Sequence, residues 1–272
     1  MKIQGPPLVK ASYDELVSFV RYYRHHGTPI IIGGWAVWFH NPYFGSIDID
    51  VVGPSYRGEF YRIIEEYEHT HGYQTTPTDL LGVEAVASKP IIHKGKKAGD
   101  MEIDACSFEQ TGASEFHEDR SLTLPYSLCD EPGNKREVKI ARDCICYAPS
   151  KALLIMFKIK AHRDRSYDIK VKGGSMNPER LVWLKTKVAK DSTDIIALLD
   201  PRKRPSLIMD RLDYAKLGQI AKARGLEHLA AETLGGVLGS REASMSYGRT
   251  LNLKVLKVSI SSVFPSFKVG PD

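Results

Sequence analysis

Residues 47–52, IDIDVV, constrain what this chain can be more than any other stretch. Side chains alternate along a strand, so Asp48 and Asp50 share one face while Ile47, Ile49 and Val51 share the other. The aliphatic neighbours predict a half-buried strand with two carboxylates converging on a small volume. Carboxylates leaving water cost free energy unless something positive meets them, and two held close together repel. A divalent cation with oxygen ligands relieves both penalties. Magnesium, or manganese in its place, suits a few carboxylates completed by substrate phosphates and water. A third carboxylate is expected from another strand, and residues 101–108, MEIDACSF, offer Glu102 and Asp104 on one face. Asp104 is preferred over Glu102, because Ile103 and Ala105 bracket it as Ile47 and Ile49 bracket Asp48. Three carboxylates on adjoining strands can hold two metal ions, one activating a hydroxyl and the other steadying a leaving group.

Upstream, TPIIIGG reads as a short buried strand running into Gly33 and Gly34, and WAVWFHN as one or two helical turns stopped by Pro42. A helix start presents backbone N–H groups, and a residue without Cβ lets a phosphate approach them. The lysine-bearing G-x-x-x-x-G-K-[ST] loop is absent, which excludes a P-loop protein.

The surrounding pattern predicts an α+β fold. ASYDELVSFVRYYRHHG reads as a helix capped by Ser12 with Glu15 three residues on. RGEFYRIIEEYEHTHG reads as a second amphipathic helix. GVEAVASKPIIH and DMEIDACSF form a probable hairpin across KGKKAG, and EVKIA and CICYA are short strands. Residues 109–136 are polar and irregular. The second half is mainly helical: SKALLIMFKIKAHRDR after Pro149, then a helix opened by Asn177-Pro178, then SLIMDRLDYAKLGQIAKARG and LEHLAAETLGGVLG. The last thirty or so residues alternate in a strand-like way. A mixed sheet with helices on it, residues 1–147, is thus followed by a helical domain, 148–240, and a tail, 241–272.

Charge divides along the same line. Residues 1–134 carry 11 Lys+Arg against 19 Asp+Glu, whereas residues 135–224 carry 22 against 10. An acidic, metal-holding part joined to a basic, polyanion-holding part fits that split, as do two solvated surfaces of opposite sign. The start MKIQGPPLVK lacks the apolar core of a secretory signal, and no apolar run is long enough to span a bilayer. With four cysteines in no zinc spacing, these features predict reduced thiols in a cytoplasmic protein without a membrane partner.

GGWAVWFHNPYFGSIDIDVV resembles the double-glycine signature and Asp-x-Asp strand of the DNA polymerase β-like nucleotidyltransferase superfamily. The resemblance implies transfer of a nucleoside monophosphate from an NTP such as ATP to a hydroxyl, with pyrophosphate leaving. It implies that Gly33 and Gly34 hold the triphosphate. Asp48 and Asp50 would bind both metals, and Asp104 would bind one and help deprotonate the acceptor. APSKALLIMFKIKAHRDR and KDSTDIIALL resemble the helical portion of minimal nucleotidyltransferases of the abortive-infection toxin kind. On that pattern Lys158 faces the triphosphate, and Lys190, Asp191 and Asp194 line or brace the site. Many relatives carry an arginine and a threonine before the Asp-x-Asp strand; this chain has Phe44, Gly45 and Ser46, with Ser46 taken as a nucleotide contact. The implied partners are an NTP, an RNA acceptor such as a tRNA 3′ end, and an antitoxin protein. Transfer to a small molecule or protein hydroxyl, and a non-catalytic nucleotide- or RNA-binding module, are the alternatives.

Overall fold

The computed structural model describes residues 6–78, 83–201, 206–248 and 251–268. The chain forms two compact units. The first comprises Met1–Gln110, Tyr126–Pro149 and Pro205–Met209; the second comprises Thr111–Pro125, Ser150–Arg204 and Asp210–Asp272.

The first unit is built from α1 (Pro7–Tyr23), β1 (Ile30–Ile31), α2 (Gly33–His40), β2 (Ile49–Gly53) and α3 (Glu59–Thr70), followed by β3 (Gln74–Thr78), β4 (Val83–His93), β5 (Lys96–Ser107), β6 (Lys135–Ala141) and β7 (Cys144–Pro149). The strands make one mixed seven-stranded sheet in the order β3-β4-β5-β2-β1-β7-β6. Only β2·β5 and β1·β7 are parallel. Parallel neighbours need a crossover of a dozen or more residues, and α3 with the β3–β4 hairpin supplies the one between β2 and β5. The α+β class expected from the sequence is the class observed.

The start of α1 corrects one expectation. The helix opens at Pro7, five residues before Ser12, with proline where a first-turn N–H has no helical partner. Ser12 and Glu15 do not cap it, because both are engaged in tertiary bonds. Ser12 Oγ donates to the Ile47 carbonyl and accepts from the Trp35 indole at 3.1 Å. Glu15 accepts from Tyr67 Oη at 2.9 Å and pairs with Lys89 Nζ at 2.7 Å. The sequence motif of a cap is here a set of buried polar bonds that hold α1 against the sheet.

The β4–β5 turn is also tighter than the six residues KGKKAG. Lys94 and Gly95 alone make it, both at positive φ (50° and 74°), as a right-twisted two-residue hairpin requires. Trp35, Phe19, Leu16, Ile31, Ile49, Phe60 and Tyr67 are fully buried and form the heart of this unit. Cys144 and Cys146 are buried and unbridged.

On α3, Glu68 sits one turn from Glu65, and burial followed by that like charge pushes its carboxyl up to about 7 from 4.5. A carboxyl raised on folding binds protons more tightly folded than unfolded. Stability is therefore lost as pH rises from about 4.5 through about 7. Glu68→Gln is expected to melt at higher temperature than wild type at pH 8 and at the same temperature at pH 4. An unchanged difference across that range, read by thermal denaturation, contradicts the assignment.

The second unit contains α4 (Thr111–Ser114), α5 (Lys151–Lys172), α6 (Pro178–Leu199), α7 (Tyr214–Ala223), α8 (Glu227–Gly239), α9 (Arg241–Tyr247) and α10 (Leu253–Ser261). Pro149 ends β7 instead of opening α5; Ser150 is the cap, accepting from the Leu153 N–H. Asn177 caps α6 by accepting from the Glu179 N–H at 2.8 Å. The third helical stretch starts later than its apolar pattern suggested, at Tyr214, where Asp213 accepts from the Lys216 N–H at 3.0 Å.

The strand-like reading of the tail is overturned: residues 241–247 and 253–261 are helical. Leu256 and Ile260 stand four residues apart and are buried, while Val255 and Val258 are exposed. The valines and isoleucine suggested a strand, but the buried set follows the helical period, and Asn252 caps the helix through the Val255 N–H. Among the described residues, no helix is long and apolar enough to cross a membrane.

Candidate active site

The first unit gathers the glycine turn and the acidic strands at one place. In the parallel register of β2 on β5, Asp50 lies opposite Asp104, and Val52 opposite Cys106. Paired residues in a sheet share a face, so the two carboxylates project to the same side. Ile49 and Val51 go to the other side and are fully buried there. Asp48 and Asp50 are half-buried, and Asp104 is exposed. Glu102, two residues before Asp104, shares its face and is half-buried, and it lies opposite Ser88 of β4. Asp104 is the cross-strand neighbour of Asp50.

Gly33 meets Asp50 directly. Its φ is +62°, and a Cβ added there would overlap the Asp50 carboxylate and stand 2.9 Å from Asp50 Cβ. Conformation and space both require glycine at this position. The preceding residue is tied to the same aspartate, since the Ile32 N–H donates to the Asp50 carbonyl at 2.9 Å. Gly34, the second residue of α2, is buried. The helix is fixed at both ends: Trp35 is bonded to Ser12, and His40 Nε2 donates to the Pro149 carbonyl at 2.8 Å. The first turn of α2, with its N–H groups pointing out of the helix start, is therefore held rigidly beside Asp50.

Ser12 reaches the other flank of the acidic strand through its bond to the Ile47 carbonyl, one residue before Asp48. Ser46 lies buried on the loop before β2. That loop passes close under α1: Gly45 has φ +96°, and a Cβ there would lie 2.6 Å from Val9 Cγ1.

The site contains a residue that no local pattern signals. Tyr126 starts a 3-10 turn (Tyr126–Asp130) within the stretch read as polar and irregular. Burial, then the neighbouring Cys106, then the charge of Asp50, push its phenol well above the ordinary value, and its hydroxyl is hydrogen-bonded to Cys106. Tyr126 thus stays a neutral hydroxyl beside the acidic face at any physiological pH.

The donors suit a hard cation: the carboxylates of Asp48, Asp50 and Asp104 supply only oxygen. Gly33 is an observed cradle, since any side chain there would displace the Asp50 carboxylate. Among the described residues, no three His, Cys, Asp or Glu side chains already stand clustered as metal ligands.

The residues expected from the helical half lie in the second unit and form one network across α5 and α6. Lys158 Nζ contacts Asp194 Oδ2 at 2.6 Å and Asp191 Oδ1 at 3.2 Å. Lys190 Nζ contacts Asp194 Oδ2 at 3.0 Å, and Arg165 pairs with Asp191. Asp191 and Asp194 are 2 % and 1 % exposed. Lys158 does not snorkel to solvent; two buried carboxylates hold it, and this network joins the two helices.

No protein-family model matches this chain, and no curated protein matches it in sequence. Among solved structures the chain is similar to an antigenic nucleotidyltransferase-like protein from Paracoccidioides brasiliensis, at 11% identity over 96% of each chain and a TM-score of 0.47.

Proposed function

We propose that this protein is a divalent-metal-dependent nucleotidyltransferase that moves a nucleoside monophosphate from an NTP to a hydroxyl acceptor. The single observation that carries the reading is the juxtaposition of Gly33, at the start of α2, with Asp50 and Asp104 on the paired strands β2 and β5. Asp48, Asp50 and Asp104 would hold magnesium, or manganese in its place. When bound, the metal supplies charge neutralisation for the triphosphate and lowers the pKa of a coordinated hydroxyl.

The remaining roles belong to the chain itself. N–H groups at the start of α2 seat triphosphate oxygens, and Gly33 and Gly34 leave them room to approach. Asp104, the more exposed carboxylate, accepts the acceptor hydroxyl's proton as its oxygen bonds to the α-phosphorus. The bond from that phosphorus to the bridging oxygen breaks, and pyrophosphate leaves. Asp50 is held in place by the Ile32 N–H on its carbonyl and by its packing against Gly33. Tyr126, kept neutral and hydrogen-bonded to Cys106, adds no charge beside Asp50. Ser46 acts from within the loop that sets the approach to β2. Lys158, Lys190 and Asp194 brace α5 against α6 and keep a positive field on the helical unit. The acceptor favoured is RNA, such as a tRNA 3′ end, given the excess of Lys and Arg in residues 135–224. A reduced, cytoplasmic setting and an antitoxin partner belong to the same reading.

The test uses each α-labelled NTP with Mg²⁺, with and without tRNA. Wild type is expected to transfer label and release pyrophosphate. Asp48→Ala combined with Asp50→Ala is expected to lose about 100-fold or more while keeping the circular dichroism spectrum of the fold. Transfer indifferent to those substitutions contradicts the mechanism.

A second reading, nucleotide binding without transfer, draws support from one observation: no three ligating side chains are clustered among the described residues. It predicts calorimetric binding of a non-hydrolysable NTP with no pyrophosphate release from any natural one.

A further inference from the structure

Trp183 is more than a third exposed, whereas Trp35 and Trp38 are buried. It lies on α6 between two cations of the same helix face. The Arg180 guanidinium stands 4.4 Å from the indole centroid, and Lys187 Nζ stands 5.3 Å away. Spacings of three and four residues put these side chains in one row along α6. Around the row, residues 166–190 carry six Lys or Arg against two acidic residues, and Lys170, Lys172 and Lys185 are exposed. One of the two acidic residues, Asp168, is engaged by His117 and Lys172.

Cation–π contacts within a helix explain why the three side chains adopt this arrangement. They do not explain an indole held at the surface in a basic part of the chain. A flat aromatic ring flanked by cations matches one kind of partner well: unpaired bases stack on the ring while the cations meet the phosphates on either side. A paired helix keeps its bases stacked inside and offers the ring nothing to stack on. A lipid surface asks for a continuous apolar face, whereas here the exposed Val171, Val182 and Trp183 are interleaved with Lys170, Lys172, Arg180 and Lys185.

We propose that the Arg180–Trp183–Lys187 row of α6 is a docking surface for single-stranded RNA, stacking an unpaired base on the indole. The proposal rests on the transferase reading only in supplying it with an acceptor class; the binding itself is independent of catalysis.

The experiment titrates the full-length protein into a short fluorescein-labelled single-stranded RNA of mixed A and U sequence, its duplex, and phosphatidylglycerol vesicles. Anisotropy and tryptophan emission are followed. Single-stranded RNA is expected to bind more tightly than the duplex and to quench tryptophan emission, which can come only from the one accessible indole. Trp183→Ala is expected to weaken binding about tenfold and abolish the quench, and Trp183→Phe to restore most of the affinity. Arg180→Glu with Lys187→Glu is expected to reduce the log–log salt slope by about 1.4, as two lost phosphate contacts require. Asp50→Asn is expected to bind RNA as wild type does. Binding indifferent to Trp183, preference for the duplex, or attachment to vesicles alone overturns the proposal. Wild type that binds RNA in this way yet transfers label from no NTP overturns the transferase reading instead.

Discussion

Replacing Gly33 by alanine is expected to destabilise the first unit by about 2–5 kcal/mol and abolish any activity of the site. Two costs add. A non-glycine residue at φ +62° pays about 1–2 kcal/mol for the left-handed backbone. The new methyl group also occupies the volume of the Asp50 carboxylate, an overpacking that costs a further 1–3 kcal/mol or so and pushes the aspartate out of line. Gly72→Ala is the control: its φ is +82°, and a Cβ there has nothing within 4 Å. It carries only the backbone cost and is expected to lose about 1 kcal/mol. Urea titrations of the two variants separate the contributions, provided the slopes stay equal to that of wild type. Equal losses contradict the claim that Gly33 is shaped by Asp50.

Asp194→Ala is expected to cost about 3–5 kcal/mol, because it leaves Lys158 buried against one carboxylate fewer. Lys190→Ala removes a neighbour of the same carboxylate from a side chain 27 % exposed, and is expected to cost less than about 1 kcal/mol. A loss at Asp194 as small as that at Lys190, read by denaturant titration, contradicts the view that this network joins α5 to α6. Replacing Lys158, Asp191 and Asp194 together with apolar residues of similar size is expected to be milder than Asp194→Ala alone.

The contrast between these two sites shows which parts of the molecule are legible in its residues. The alternation of residues 49–52 announces the face on which Asp50 lies, because period two is imposed by the backbone, whereas Asp48 stands in the bend just before β2. The cross-strand partner is not legible: both Glu102 and Asp104 satisfy the alternation, and that Asp104 pairs with Asp50 follows only from the β2·β5 register. Gly33 reads as a turn residue, but its contact with Asp50 is tertiary and leaves no mark in local sequence.

Ser12 and Glu15 mislead for the opposite reason. Their spacing matches a cap, and the polar atoms are used, yet by Ile47, Trp35, Tyr67 and Lys89, up to 74 residues distant. Tyr126 was invisible because it arrives from an irregular stretch whose course depends on packing. The tail misled through residue type: valine and isoleucine favour strands on average, but the buried positions of α10 follow a helical spacing. Lys158 is picked out only by the family resemblance, as a residue facing the triphosphate, and Asp191 and Asp194 as residues that line or brace the site; that the two aspartates hold Lys158 itself is a tertiary fact.

The proposed site grips divalent cations through acidic side chains of β2 and β5, beside a triphosphate seated at the start of α2. Electron paramagnetic resonance of Mn²⁺ titrated into the protein with a non-hydrolysable NTP reads this binding. Nucleotide-dependent Mn²⁺ binding is expected in wild type and is expected to be lost in Asp50→Asn and in Asp104→Asn while both variants stay folded. Mn²⁺ bound equally by wild type and both variants contradicts it.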